Sequence, residues 1–293
     1  MTLNGIDRPH RHWLSLAWRV AVLLRQGDRT LKLVSASYDR IAAGYDDVWT
    51  QHMRDLSMTM LDRLAPPARA VCIDLTCGTG FIAAELARRT GTRPVGVDAS
   101  AGMIGVARRN HGGNCDFVQA DALDFLRRLP PQSADVVTCG WGLGYTHPAP
   151  VVRQIARVLR SGGRVGIIDN TLFSLAGVLW ASLKTFAERP GALKHAMNLR
   201  FLPGAWMLAV LCRIHGLGVR WQADGARTYH VPDGRSAIER LTATGAAAGF
   251  EFACDTENRQ AVFDRFAELL DERFINREVS FTHRWLVVIG AKP

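Results

Sequence analysis

Residues 71–81 read VCIDLTCGTGF: an apolar run broken only by Asp74 that passes into a turn carrying Gly78 and Gly80. A short apolar run before a glycine turn is the pattern of a strand covered on both faces. The turn frees backbone N–H groups where a helix begins. Similar runs recur at 94–98, 116–119, 134–139, 164–168, 250–254 and 285–289, and helical stretches at 81–89, 101–110, 123–128 and 150–159 separate the earlier ones. This alternation predicts an α/β fold with a doubly wound, mostly parallel seven-stranded sheet. The triplet SGG at 161–163 reads as a helix stop, and further helices are expected at 236–249 and 261–274.

At 293 residues and 48% hydrophobic content, the chain can bury a sizeable core. Its six cysteines are scattered, without a CxxC pair, and predict free thiols in a reducing cytoplasm; no metal-ligand cluster is evident. The net charge of +9 is confined to two segments: residues 1–37 carry six basic against two acidic side chains, and residues 170–220 six against one. Both are unusually apolar, with WLSLAWRVAVLL at 13–24, TLFSLAGVLW at 171–180 and AWMLAVLC at 205–212. None reaches the roughly 18 to 20 apolar residues that span a bilayer, and Arg19 splits the first as it would split a signal peptide. Four regions follow: an N-terminal basic amphipathic helix and lid (1–60), a ligand-binding half (61–169), an apolar basic helical cap insertion (170–235) and the C-terminal part of the core (236–293).

The string GTGFIA at 78–83 matches a dinucleotide fingerprint, a weak signal alone, and Asp98 at the end of the second strand could accept ribose hydroxyl bonds in any nucleoside site. Five blocks in order narrow the choice: DLTCGTG (74–80), VGVDASAGM (95–103), FVQADA (117–122), ADVVTC (134–139) with Trp141, and VLRSGGRV (158–165). Together they resemble the motifs of class I S-adenosylmethionine-dependent methyltransferases, and the layout is most similar to the ubiquinone/menaquinone C-methyltransferase group. The resemblance implies S-adenosyl-L-methionine as cofactor. It assigns Asp74, Thr76, Cys77, Gly78, Thr79 and Gly80 to the turn under the methionine part, Asp98 and Ala99 to the ribose, and Met103 to packing on the adenine. Asp121 and Ala122 would read the adenine amino edge, and Cys139 with Trp141 would line the floor near the sulfonium. SYDRIAAGYD at 37–46 resembles the family's lid, with Tyr38 and Tyr45 covering the cofactor; their seven-residue spacing also suits plain helix packing. Thr76 departs from the commonest motif, which has glycine there.

Methyl transfer needs alignment and exclusion of water, and a base only where the acceptor arrives protonated. Candidate catalytic side chains are Tyr145 and His147 in GWGLGYTHP (140–148) and His230 in RTYHVP (227–232); a structural or surface role is the alternative for each histidine. The acceptor is expected to be a hydrophobic quinone or other lipid-like molecule, because the cap is greasy. The basic N-terminal helix is expected at the anionic inner face of the membrane, or else with Trp13, Leu16, Val20 and Leu24 buried against the core. An alternative resting on the resemblance is rhodoquinone-type amino transfer. A nucleic-acid reader is disfavoured, since the basic residues interleave with aliphatic stretches more than with exposed stacking aromatics.

Overall fold

The structure, a computed structural model, describes residues 9–47, 51–245, 248, 252–254, 256–274 and 278–293. Three helices come first: α1 (Pro9–Arg25), α2 (Thr30–Ile41) and α3 (Gln51–Leu64). The alternating part follows as β1 (Cys72–Leu75), α4 (Phe81–Thr90), β2 (Val95–Asp98), α5 (Ala101–His111), β3 (Asp116–Gln119), α6 (Ala122–Arg128), β4 (Ala134–Gly140), α7 (Pro148–Val158) and β5 (Leu159–Asn170). The chain closes with α8 (Ala176–Glu188), α9 (Ala205–Ile214), β6 (Gly218–Val231), α10 (Gly234–Ala243), α11 (Thr256–Arg273) and β7 (Val279–Ala291).

The seven strands form one sheet in the order β3-β2-β1-β4-β5-β7-β6. Strands β1 to β5 run parallel, and β7 lies antiparallel to both β5 and β6. All four residues of β1 are buried, as its apolar run requires, because helices cover both faces. On one face Leu126, Val152, Ile155, Leu208 and Cys212 pack against Val137, Val165 and Val288. On the other Met60, Leu61, Leu64 and Leu86 cover Cys72, Val136, Ile168 and Val287. Each fully buried leucine contributes about 1.5–3 kcal/mol of transfer free energy. Leaving β1, the chain first builds outward through β2 and β3, then crosses back to β4 on β1's other edge. A crevice must open at this reversal, past the carboxyl ends of the strands.

Three expectations require correction. The insertion at 170–235 is not wholly helical, because its last part is β6, the outermost strand beyond β7. Its exposed sheet-edge position lets Arg220, Gln222, Asp224 and Arg227 interrupt the apolar pattern that marks interior strands. The strand expected at 250–254 lies partly outside the described residues, and of its remainder Cys254 makes only an isolated antiparallel bridge to Leu193. The SGG triplet does not stop α7, which ends at Val158 with Leu159 already extended; the triplet instead lies within β5, where the register to β4 shifts.

The turn after β1 carries an unusual conformation. Thr76 has φ +52°, in the left-handed region that β-branched residues rarely enter. Its Oγ1 donates toward the Leu75 and Gly140 carbonyls (2.6 and 3.1 Å) and lies 3.4 Å from Cys139 Sγ. This anchors the turn to the end of β4 next door. The side chain also constrains the following loop: a Cβ on Gly142 would stand 2.6 Å from Thr76 Cβ. Gly142→Ala should therefore lower stability by about 1–3 kcal/mol in urea unfolding, and adding Thr76→Gly should recover most of the loss. A single substitution without effect would show that the two loops do not press together.

Candidate functional site

A pocket opens where the reversal predicts, and pocket and mouth together hold about 950 Å³. Its floor comes from the β1 turn (Thr76, Cys77, Gly78, Thr79), and one end carries Asp98 and Ala99 after β2 with Met103 on α5. Asp121 and Ala122 after β3 line the same end, and Trp141 and Tyr145 after β4 line the other side. Tyr38 and Tyr45 of the lid line it too, so the structure gathers four of the five sequence blocks, and the lid, around one space, whereas the fifth block, 158–165, does not line it.

Asp98 joins the first two loops. Its Oδ2 accepts from Gly78 N (3.0 Å) and its Oδ1 from Ser100 N (2.9 Å). Burial, with the Asp39 charge adding to it, raises the Asp98 pKa despite these bonds. Gly78 has φ +53° and open space where a Cβ would stand, so the turn approaches the pocket without a side chain. Gly80, φ +93°, begins α4 and excludes a Cβ because Phe117 would lie 2.9 Å from it. Asp121 caps α6 by accepting from Asp124 N (2.9 Å) while still lining the pocket.

The lid is latched by carboxylates as well as packed through its tyrosines. Asp39 Oδ1 accepts from Ser100 Oγ (2.6 Å) and Gly102 N (2.7 Å), giving α5 a second cap from α2. Asp46 Oδ1 accepts from Thr79 Oγ1 (2.5 Å), tying the other end of the lid to the β1 turn. Tyr38 packs edge-on against Tyr45 and Tyr145, with ring centroids 5.9 and 6.3 Å apart, and its phenol is hydrogen-bonded to that of Tyr145. Burial raises both phenols, Tyr145 to about 12, so at neutral pH they stay protonated and serve as donors.

Two buried carboxyls stand behind the pocket wall. Asp74 accepts from Thr138 Oγ1 (2.7 Å) and is pushed up to about 7 by burial. Asp169, at the end of β5, is likewise pushed up to about 7 by burial; its Oδ2 accepts from Gly144 N (2.6 Å) and its Oδ1 from Asn170 N (2.8 Å). It thereby fixes the loop that presents Tyr145. Trp141, at φ +59°, donates from Nε1 to Ser57 Oγ of α3 (3.0 Å).

Not every expected residue reaches the space. Asp74, Gly80 and Cys139 support the pocket from behind without lining it. His147 is exposed at the N-cap of α7, and His230 is exposed on edge strand β6, 3.9 Å from Glu278; neither lines the pocket. Sequence reasoning also missed Asp39, Asp46 and Asp169. The first two sit inside SYDRIAAGYD, where their place after each tyrosine was the available signal; nothing local marks Asp169. All six cysteines are free and buried, and no metal-ligand cluster occurs among the described residues.

The residues present fit an elongated nucleoside ligand: two carboxylates for hydroxyl and amine donors, apolar Met103 between them, and a side-chain-free turn beyond. Residues 72–163 match the family described as methyltransferase domain. The chain is 33% identical over 147 residues to the 2-phytyl-1,4-naphtoquinone methyltransferase of Thermosynechococcus vestitus, covering 48% of this chain and 61% of that protein. It is 34% identical over 143 residues to the demethylmenaquinone methyltransferase of Clavibacter sepedonicus, covering 46% and 54%. The chain thus spans less than two thirds of the length of these relatives. Among solved structures, the [4+2]-cyclase SpnF superposes with a TM-score of 0.54 at 21% identity, over 84% of this chain and 83% of that one, a likeness of fold alone. With four of the five blocks assembled around one pocket and the matched family covering the cradle, residues 72–163 form a class I S-adenosylmethionine-dependent methyltransferase domain.

Proposed function

We propose that the chain transfers a methyl group from S-adenosylmethionine to a quinone or other lipid-like acceptor at an anionic membrane surface. The observation that carries the reading is a single pocket that joins the cofactor cradle to an apolar wall of Leu31, Val34, Met53, Phe81 and Ile82. The two relatives, both named as quinone methyltransferases, favour the same acceptor class.

The bound cofactor supplies an activated methyl group on a sulfonium; the chain's residues supply position and dryness. Asp98 and Asp121 hold the nucleoside end, and the Thr76–Gly80 turn receives the methionine end. Tyr38, Tyr45 and Trp141 exclude water. No histidine lines the pocket among the described residues, and the Tyr145 phenol is too weak an acid to act as a base at neutral pH. An acceptor acidic in its own right, such as a hydroquinone, would need no base from the chain.

The membrane reading rests on where apolar surface and charge coincide. On α1, Leu16 and Leu23 are buried beneath Phe186 and Leu193, and Arg19 Nε donates to the Leu193 carbonyl (2.9 Å), so the helix is docked. Its other face leaves Leu14 71% and Trp18 70% exposed, and α8, which packs on it, exposes Leu179 and Leu183. These residues fall in the two segments that hold the whole net charge. No described helix is long and apolar enough to cross a membrane, so insertion would stop at headgroup depth.

Incubation with labelled cofactor and a membrane lipid extract should place label in a quinone-type lipid that gains one methyl; label confined to protein or RNA would sink the reading. The chain should sediment with anionic vesicles and not with neutral ones, and Leu14→Ser with Trp18→Ser should weaken this about tenfold. Asp39→Ala should weaken S-adenosylhomocysteine binding about tenfold by calorimetry, because the lid loses charge-assisted bonds; unchanged affinity would refute the latch.

A pH dependence of stability also follows. Asp74 and Asp169 bind their protons more tightly folded, at about 7, than at the ordinary 3.8. Their contribution is therefore fully present below the ordinary value and is lost as pH rises through about 7. Asp169→Asn should flatten the fall in unfolding free energy across that window; an unaltered slope would show that Asp169 ionises freely.

A further inference from the structure

We propose that Arg200, in the strap of residues 193–202 between α8 and α9, is a positioning residue for the acceptor. It bolts the start of the lid helix α2 to the loop after β4 and so fixes the end of the pocket farthest from the nucleoside. The inference rests on reading that end as the acceptor's.

Helix α2 lies along the pocket. Leu31, Val34, Ser35 and Tyr38, spaced three and four apart, turn one face toward it. The carboxyl end of α2 is latched at the nucleoside end, where Asp39 accepts from Ser100 Oγ and Gly102 N. Leu31, two helical turns earlier, stands about 12 Å further along the axis and lines the pocket together with Thr146. A helix held at one end alone would leave this far end free to open.

The far end has its own fastening. Asp28, in the turn before α2, accepts from Thr30 N (3.0 Å) through Oδ1 and pairs through Oδ2 with Arg200 Nη2. Thr30 Oγ1 accepts from Asn198 N (2.7 Å), a second bond from the same strap. On its other side Arg200 N donates to the Gly144 carbonyl (2.8 Å), and its Nη1 lies 3.5 Å from the Thr146 carbonyl. Phe201 fills the space over Gly144, where a Cβ would stand 2.1 Å from the ring, and lies edge-on to Tyr145 at 5.3 Å. Burial opposes the Asp28 charge, yet the bonds from Arg200 and Thr30 hold its pKa down at about 2, so the pair is ionised at neutral pH. Neither Asp28 nor Arg200 lines the pocket, and both act on it through Leu31 and Thr146.

The test uses the full chain with S-adenosylmethionine and a short-tailed prenylated 1,4-naphthoquinol as the acceptor probe. Arg200→Gln should raise the acceptor KM about tenfold, with kcat changed less than about threefold and S-adenosylhomocysteine affinity by calorimetry less than about twofold; Arg200→Lys should be intermediate. Asp28→Asn should act alike, and the double variant should add little to either single change, because both break one pair. Should Arg200→Gln fail to fold, Asp28→Asn carries the comparison. Equal weakening of S-adenosylhomocysteine would overturn the proposal by making the strap a scaffold for the whole pocket. An unchanged KM in folded variants would overturn it by reducing Arg200 and Asp28 to a surface pair. Absence of turnover by the unaltered chain would instead refute the quinone reading of the acceptor, and the proposal with it.

Discussion

The Asp98 carboxylate is the constraint on which the site depends. It accepts one backbone N–H from the turn after β1 and another from the start of α5, so two loops from adjacent strands share one anion. Separating them would leave a buried charge with unmatched oxygens, which costs far more than the bonds contribute when made. The Asp39 carboxylate is brought close by the lid and opposes it electrostatically. That repulsion is tolerated because Asp39 spends its own charge on Ser100 Oγ and Gly102 N. Lid, turn and helix are thus held by one chain of acceptor sites instead of by separate contacts.

Much of this was legible in the sequence, for reasons that can be given residue by residue. Strand β1 was readable because a central parallel strand must be apolar on both faces. The loops after β1, β2 and β3 were readable because glycine, aspartate and the short side chains around them are needed wherever backbone closely approaches a ligand. Edge strand β6 was not, since one bare edge and a wet face permit the polar residues that mimic a loop. Asp169 was not either, because its meaning lies in contact with Gly144, 25 positions away in the chain.

Thr76 and Gly142, read separately in the sequence, become one fact in three dimensions. Thr76 stands where glycine is commonest, and the loop after β4 reads CGWGLGY, with glycine at 142. The threonine methyl occupies the volume that a side chain at 142 would need. The two loops therefore share one space, filled from the Thr76 side, and neither loop read alone would reveal it.

The long pairing of β6 with β7 carries a different consequence. Strand β5 accompanies β7 only from Ala291 back to Trp285, whereas β6 follows it on to Val279. The last stretch is therefore a two-stranded arm projecting past the parallel sheet, gripped by α8, α10 and α11 through Val231, Phe281, Ala181 and Leu269. The strands that carry the cofactor cradle, β1 to β4, and the arm of β6 and β7 consequently stand at opposite ends of one sheet. The arm and its helices can therefore be remodelled without disturbing the loops that surround the pocket.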